Sequence, residues 1–217
     1  MSRFELIVFD WDGTLMDSAG AIVGALQAAC SDLGITEPSD ESARHIIGLG
    51  LRDALACALP DLPEEQYLSL AERYRYHFLA GDSGLEMFAG IPELVAGLSR
   101  AGHLLAVATG KSRKGLQRAL ATSGLQALFH ASRCADECHS KPHPQMLYEL
   151  MDELGAAPER TLMIGDTTHD LLVARNAGVA ALAVTYGAHP RAELLAAAPL
   201  AFADSVAEMA RWLDTHA

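Results

Sequence analysis

Apolar residues recur along this chain in two rhythms. Leu6-Ile7-Val8-Phe9 is a continuous apolar run, the pattern of a strand buried on both faces of a parallel sheet. From 18 to 83 the period is helical. Ile22, Leu26, Cys30 and Leu33 form one stripe; Leu51, Leu55, Ala58 and Leu59 form another; Tyr67, Leu70, Tyr74 and Phe78 form a third. Gly34, the Gly48-Leu49-Gly50 break, Pro60 and Pro63 separate them, and Ser39 or Asp40 can cap a short helix before Ile46-Ile47. This block contains no strand pattern.

Beyond Met87 strands and helices alternate. Gly90-Ile91-Pro92 opens a helix with Leu94 and Leu98 on one face. A short strand over 104–108 ends in Thr109-Gly110. Helix 112–123, a weak strand at 129–132 and helix 143–154 follow. Then come strand 161–164 ending in Gly165-Asp166, helix 170–177 and strand 181–185. Leu200-Ala201-Phe202 is a last short strand before a helix through Val206, Met209 and Leu213. Strands spaced by helices imply right-handed crossovers and a parallel sheet covered on both faces. The predicted architecture is therefore α/β, a doubly wound Rossmann-like parallel sheet formed by 1–17 and 84–217. An all-helical cap domain, 18–83, is inserted after the first strand.

Composition narrows the function. The chain has 217 residues, half of them hydrophobic, and a formal charge of −12. With no basic block it carries no nucleic-acid footprint and no attraction to anionic membranes. Four scattered cysteines, Cys30, Cys57, Cys134 and Cys138, read as reduced thiols of a cytoplasmic protein. Met1-Ser2-Arg3 leads straight into the first strand without a signal-peptide pattern, and no apolar run is long enough to span a bilayer. A small molecule is the expected partner, with the chain a monomer or homodimer. Because the global field repels anions, a phosphorylated ligand needs local positive charge.

The chemistry-bearing residues fall at predicted strand ends. Asp10 and Asp12 are one residue apart after the first strand and project the same way, followed by Gly13 for a turn and by the Thr14 hydroxyl. Two adjacent carboxylates need a cation or a shared proton, and magnesium with oxygen ligands supplies the cation. Thr109-Gly110 offers a hydroxyl and backbone N–H groups to an oxyanion, or simply caps the next helix. Lys141, between Ser140 and Pro142-His143-Pro144, can neutralise a carboxylate or phosphoryl group, or sit in solvent. Asp166 suits direct metal ligation, with capping of the next helix as its alternative. Asp170, one turn further on, can ligate or brace.

In this order these motifs resemble the haloacid dehalogenase superfamily, in its phosphoglycolate-phosphatase-like branch with a helical cap, over essentially the whole chain. Asp10-Trp11-Asp12-Gly13-Thr14 matches the first motif and Thr109 the second. Lys141 matches the third, and Gly165-Asp166 with Asp170 the fourth. The resemblance implies a magnesium-dependent phosphatase in which Asp10 forms an aspartyl-phosphate and Asp12 is the acid and base. It implies that magnesium is held by Asp10, Asp166 and the backbone carbonyl of Asp12, with Asp170 helping. Thr109 and Lys141 would bind the phosphoryl group, with Thr14 and Gly110 beside them, and the cap would close over the site.

Phosphoglycolate is the first substrate to expect. The rivals are a phosphosugar mutase, which shares both aspartates, and a non-catalytic module retaining the fold. A dehalogenase fits less well, since its first motif generally lacks the second aspartate.

Other features carry less. The spacing of Cys134, Cys138, His139 and His143 is not a common zinc pattern. Trp11 either packs beside the first strand or gates the site. Arg44, His45 and Arg52 flank the Gly48–Gly50 break, and one of them, Arg52 foremost, can reach a second anionic group of a substrate. Arg73, Arg75 and His77 read as helix surface, and Tyr67, Leu70 and Tyr74 as core of the helical block.

Overall fold

The computed structural model describes residues 3–81 and 84–217. Met1, Ser2 and the expected end of the helical block at Ser83 lie outside the described residues. Six strands form one sheet in which every pairing is parallel: β1 (Leu6–Phe9), β2 (Leu104–Thr109), β3 (Ala131–Cys134), β4 (Thr161–Gly165), β5 (Ala180–Val184) and β6 (Ala201–Ala203). Their spatial order is β3-β2-β1-β4-β5-β6. The chain winds outward from β1 in one direction and then returns to wind out in the other. The crevice beyond the carboxyl ends of β1, β2 and β4 is thus the topological switch point, where open α/β sheets bind ligands.

Side-chain alternation along β1 divides the core into two layers. Ile7 and Phe9 join Leu105, Val107, Leu162, Ile164, Leu182 and Val184 on one face. That face is covered by α5 (Ile91–Arg100), α6 (Arg113–Ser123) and α10 (Val206–His216). Leu6 and Val8 join Ala106, Ala108, Met163, Ala181 and Ala183 on the other, beneath α7 (Gln145–Leu154) and α8 (Thr168–Ala177). All four β1 side chains are fully buried, each worth roughly 1.5–3 kcal/mol relative to exposure. Trp11 is also fully buried, with its ring against Phe129, so it packs in the core and gates nothing.

The helical block consists of α1 (Ala19–Asp32), α2 (Asp40–His45), α3 (Leu51–Ala58) and α4 (Tyr67–Gly81). Its stripes meet in a cluster of their own, with Ile22, Leu26, Cys30, Ile46, Ile47, Leu55, Leu70 and Phe78 at its centre. Arg73 and His77 on α4 both bond to Asp32 on α1, so they tie two helices together. The block leaves and rejoins the sheet through a short ribbon. Asp17 N–H donates to Glu86 C=O at 3.0 Å, Phe88 N–H donates to Leu15 C=O at 3.0 Å, and Met16 bridges Met87 in antiparallel sense.

Several boundaries differ from the sequence expectation. The strand expected at 129–132 lies at Ala131–Cys134, because Phe129 follows directly on a helical turn at Gln126–Leu128 and packs its ring against Phe9 and Trp11. Helix α7 starts at Gln145, after a turn held by Pro142 and Pro144. Helix α8 starts at Thr168, because Thr167 and not Asp166 caps it. A short helix, α9 (Arg191–Ala196), had no periodic stripe to announce it.

Candidate active site

Register brings the site together. Phe9 pairs with Val107 of β2 and with Ile164 of β4, so Asp10, Thr109 and Asp166 emerge within about a residue of one level. Asp10 N–H donates to Ile164 C=O at 2.9 Å, which fixes the backbone just where the strand ends.

Lys141 is the electrostatic centre. Its Nζ donates to Asp10 Oδ1 at 2.8 Å and to Asp170 Oδ1 at 2.6 Å, and all three side chains are fully buried. The solvated-surface alternative for Lys141 is thereby removed. Its ammonium reaches the sheet rim from a loop whose Lys141–Pro142 peptide is cis. The two carboxylates hold its pKa above the ordinary lysine value against the opposing effect of burial.

Asp166 is held by different groups. Thr14 Oγ1 donates to its Oδ1 at 2.7 Å, and Ala188 N–H to its Oδ2 at 2.7 Å. Glycines line it on two sides. A Cβ at Gly13, where φ is +81°, or at Gly187 would fall inside contact distance of its carboxylate. Asp170 is the third residue of a capping box. Its Oδ2 accepts Thr167 N–H at 3.0 Å and Thr167 Oγ1 at 2.7 Å, leaving Oδ1 for Lys141.

Carboxylate oxygens of Asp10, Asp166 and Asp170 lie within 4.8 Å of one another, all buried. Three carboxylates against one ammonium leave a formal excess of two negative charges in a buried site. Burial, reinforced by Asp170 and Asp166 and opposed by Lys141, raises the Asp10 pKa well above the carboxylate range. Burial, then the charge of Asp170, pushes Asp166 up to about 7. Asp10 Oδ2 is buried with no hydrogen-bond partner among the described residues. A buried carboxylate oxygen without a partner is costly. This donor set fits a hard divalent cation, which would neutralise the charge.

Asp12 stands apart from that cluster. Its Oδ1 accepts Ser18 Oγ at 2.6 Å and pairs with Lys111 Nζ at 2.9 Å. Thr109 is fully buried, and its Oγ1 accepts Lys111 N–H at 3.2 Å. Gly110 passes directly beneath the carbonyls of Gly48 and Leu49, where a Cβ would clash with backbone. Gly50 N–H donates to Ser140 Oγ at 2.8 Å. The Gly48–Gly50 loop of the helical block therefore sits on the rim that carries Thr109 and Lys141. A cavity of about 510 Å³ opens beside Asp12, with Ile47, Tyr74 and Phe78 on one side and Gly110, Lys111 and Lys114 on the other. Arg52 lines it too, while pairing at 3.4 Å with Glu64 in solvent. His45 serves otherwise: its carbonyl accepts His169 Nε2 at 2.7 Å and His189 Nε2 at 3.1 Å.

Sequence reasoning missed Lys111, Ser18 and the Ala188 amide. Lys111 follows Thr109-Gly110 by one residue, and that proximity was the available signal. Ser18 and Ala188 gave none. Of the zinc-like set, Cys134 is buried in the core and Cys138 Sγ contacts Glu149 at 3.6 Å. The other cluster of metal-capable groups among the described residues is His45, His189 and Glu193. There His189 Nδ1 already accepts Thr168 N–H at 3.1 Å.

A doubly wound sheet with acids, a lysine and a threonine at its switch point, roofed by a helical insertion, defines a class of α/β hydrolytic enzyme that works on anionic substrates. The chain belongs to the haloacid dehalogenase-like hydrolases, whose family model matches residues 7–184. It is 39% identical over 210 residues to "Probable phosphatase IndB" of Dickeya dadantii, covering 94% of this chain and 91% of that protein. It is 34% identical over 188 residues to a phosphoglycolate phosphatase of Agrobacterium fabrum, covering 84% and 81%. A crystal structure described as a predicted phosphoglycolate phosphatase from Haemophilus somnus 129pt superposes with a TM-score of 0.85 at 26% identity, over 98% of this chain and 99% of that one. The chain is accordingly an enzyme of the phosphatase kind, a phosphoric monoester hydrolase. No helix among the described residues is long and apolar enough to cross a membrane.

Proposed function

We propose that the enzyme hydrolyses a small phosphorylated metabolite through an aspartyl-phosphate on Asp10, with magnesium as its cofactor and the cytoplasm as its location. The observation that carries this reading is Asp10 itself. Its Oδ1 is fixed by Lys141 and its Oδ2 is buried without a partner, at the open end of the central strand. A structural carboxylate would be satisfied on both oxygens. Asp10, Asp166 and the Asp12 carbonyl would hold the ion, with Asp170 behind Lys141. When bound, it neutralises the acids and supplies charge for phosphoryl oxygens.

The chain's own groups then divide the work. Asp10 forms its bond to phosphorus as the bond to the leaving oxygen breaks, and Asp12 gives that oxygen a proton. Water next attacks phosphorus, Asp12 takes its proton, and Asp10 leaves as carboxylate. Thr109, the Gly110 amide and Lys141 are the groups placed to hold the phosphoryl oxygens, and Thr14 acts through Asp166. Residues 18–83 act as the cap, with Arg52 at the cavity wall facing the organic part of the substrate. Phosphoglycolate is the first substrate to test, supported by the naming of the Agrobacterium relative. The mutase alternative is separated by the acceptor: a mutase phosphoenzyme transfers to a second sugar phosphate and reacts poorly with water.

The test is rapid-quench labelling with an activated phosphate donor in magnesium. Wild type should label and then release phosphate to water; Asp10→Asn should not label. Labelling of that variant at the wild-type rate would remove Asp10 from this role.

A further inference from the structure

Lys111 belongs to neither the acid cluster nor the motifs read from the sequence, yet its ammonium joins three parts of the molecule. It pairs with Asp12 Oδ1 at 2.9 Å, with both side chains nearly buried at 12% and 10% exposure. It also lies 4.9 Å from the ring centroid of Phe78, on α4 of the cap. Its own backbone is clamped from both sides. Its N–H donates to Thr109 Oγ1 at 3.2 Å, and its C=O accepts Ala135 N–H at 3.1 Å. A lysine with a fixed backbone and two directional partners has lost most of its rotamer freedom, and ammonium over an aromatic face is itself attractive.

We propose that Lys111 is the positioning residue for Asp12 and that Phe78 sets Lys111, so that the cap steers the acid–base carboxylate. This rests on the reading of Asp12 as acid and base given above. Both Ser18 and Lys111 engage Oδ1, and among the described residues Oδ2 has no hydrogen-bond partner. Oδ2 is therefore the oxygen left for proton transfer, and the Oδ1 contacts fix where it points. Ser18 opens α1 and Phe78 lies on α4, so the two anchors of Asp12 are tied to the first and last helices of the cap. A displacement of α4 relative to the sheet moves the ammonium, and the ammonium moves the carboxylate. The cavity wall that contacts the organic part of the substrate is in this way linked to proton delivery.

The balance of the first step states what is at stake. The Asp10–phosphorus bond forms, the phosphorus–oxygen ester bond breaks, and the proton on Asp12 Oδ2 goes to the departing oxygen. A departing nitrophenolate needs little of that proton and a departing alkoxide needs all of it. Loss of Lys111 should therefore be felt according to the leaving group. A ~1 Å misplacement of a catalytic group costs on the order of 10²-fold.

The experiment compares wild type, Lys111→Met, Lys111→Arg and Phe78→Leu on para-nitrophenyl phosphate and on the alkyl phosphate that wild type turns over fastest. Lys111→Met should lose roughly 10- to 100-fold in kcat on the alkyl ester, and clearly less on the aryl ester. Lys111→Arg should recover part of the loss, and Phe78→Leu should shift the same ratio by a smaller factor. Lys111→Met added to Asp12→Ala should cost nothing further, as expected when one residue acts only through the other. Equal losses on both esters, a pure rise in KM, or additive losses with Asp12→Ala would each overturn the proposal. Wild type that neither labels nor releases phosphate would instead overturn the functional reading, and this proposal with it.

Discussion

Replacing Lys141 by methionine tests the electrostatic account of the site most directly. The side chain keeps its length and apolar stem but loses the ammonium that serves Asp10 at 2.8 Å and Asp170 at 2.6 Å. Three buried carboxylates then face one another with no cation in the metal-free protein. Removing one partner of a buried ion pair costs roughly 3–5 kcal/mol, because the remaining charge is stranded. For a chain of this size about 1 kcal/mol shifts Tm by roughly 2–4 °C, so a fall on the order of 6–20 °C is expected at neutral pH in chelator. The stranded carboxylates relieve themselves by binding protons, so the loss should shrink when the pH is lowered from 7.5 to 5. Magnesium should restore part of the stability, since the ion enters a site of greater negative charge, while turnover stays low. The assay is urea unfolding at both pH values, with chelator and with magnesium. Destabilisation below about 1 kcal/mol, or equal at the two pH values, would refute the reasoning.

Metal-free wild type should itself lose stability as pH rises. Asp166 keeps a proton in the folded chain up to about 7 that the unfolded chain has already released, so its contribution is complete below the unfolded pKa and disappears as pH rises through about 7. Calorimetry at several pH values in chelator checks this, and magnesium should flatten the dependence. Asp12→Ala should accept a phosphoryl group from an activated aryl phosphate but release it about 10²- to 10⁴-fold more slowly, so the trapped phosphoenzyme accumulates on a labelling gel. Gly187→Ala should weaken magnesium activation, because its Cβ displaces the Asp166 carboxylate; the magnesium concentration giving half-maximal rate reports it.

The α/β architecture was legible because its strongest signals are periodic. Four consecutive apolar residues at β1 are fully buried, and each helical stripe has a buried centre: Ile22, Leu26 and Cys30 on α1, Leu55 on α3, Leu70 and Phe78 on α4, Leu98 on α5, and Leu147, Leu150 and Met151 on α7. Leu33, expected in the first stripe, lies past the end of α1 and is exposed. The acids were legible because they stand immediately after such runs. What stayed hidden depends on contacts far apart in sequence. Nothing local announces that Thr14 bonds to Asp166, 152 positions away, or that Ala188 N–H closes the same carboxylate. The capping role given to Asp166 as an alternative belongs to Thr167, whose hydroxyl at the next position is equally compatible with the sequence. Lys111 looked like any loop lysine, since its meaning comes from Asp12 on one strand end and Phe78 on a distant helix. Trp11 was ambiguous because the aromatic partner that decides it, Phe129, lies across the sheet.

The ribbon through which the helical block joins the sheet has a consequence for how such chains diversify. Asp17 and Glu86, and likewise Leu15 and Phe88, are bonded backbone to backbone, so the two ends of the inserted segment are almost coincident in space. A segment whose ends already meet asks nothing of the scaffold: closing a longer or shorter excursion between the same points changes chain entropy only slowly with length. Inheritance can therefore lengthen, shorten or exchange the excursion without reordering a single strand.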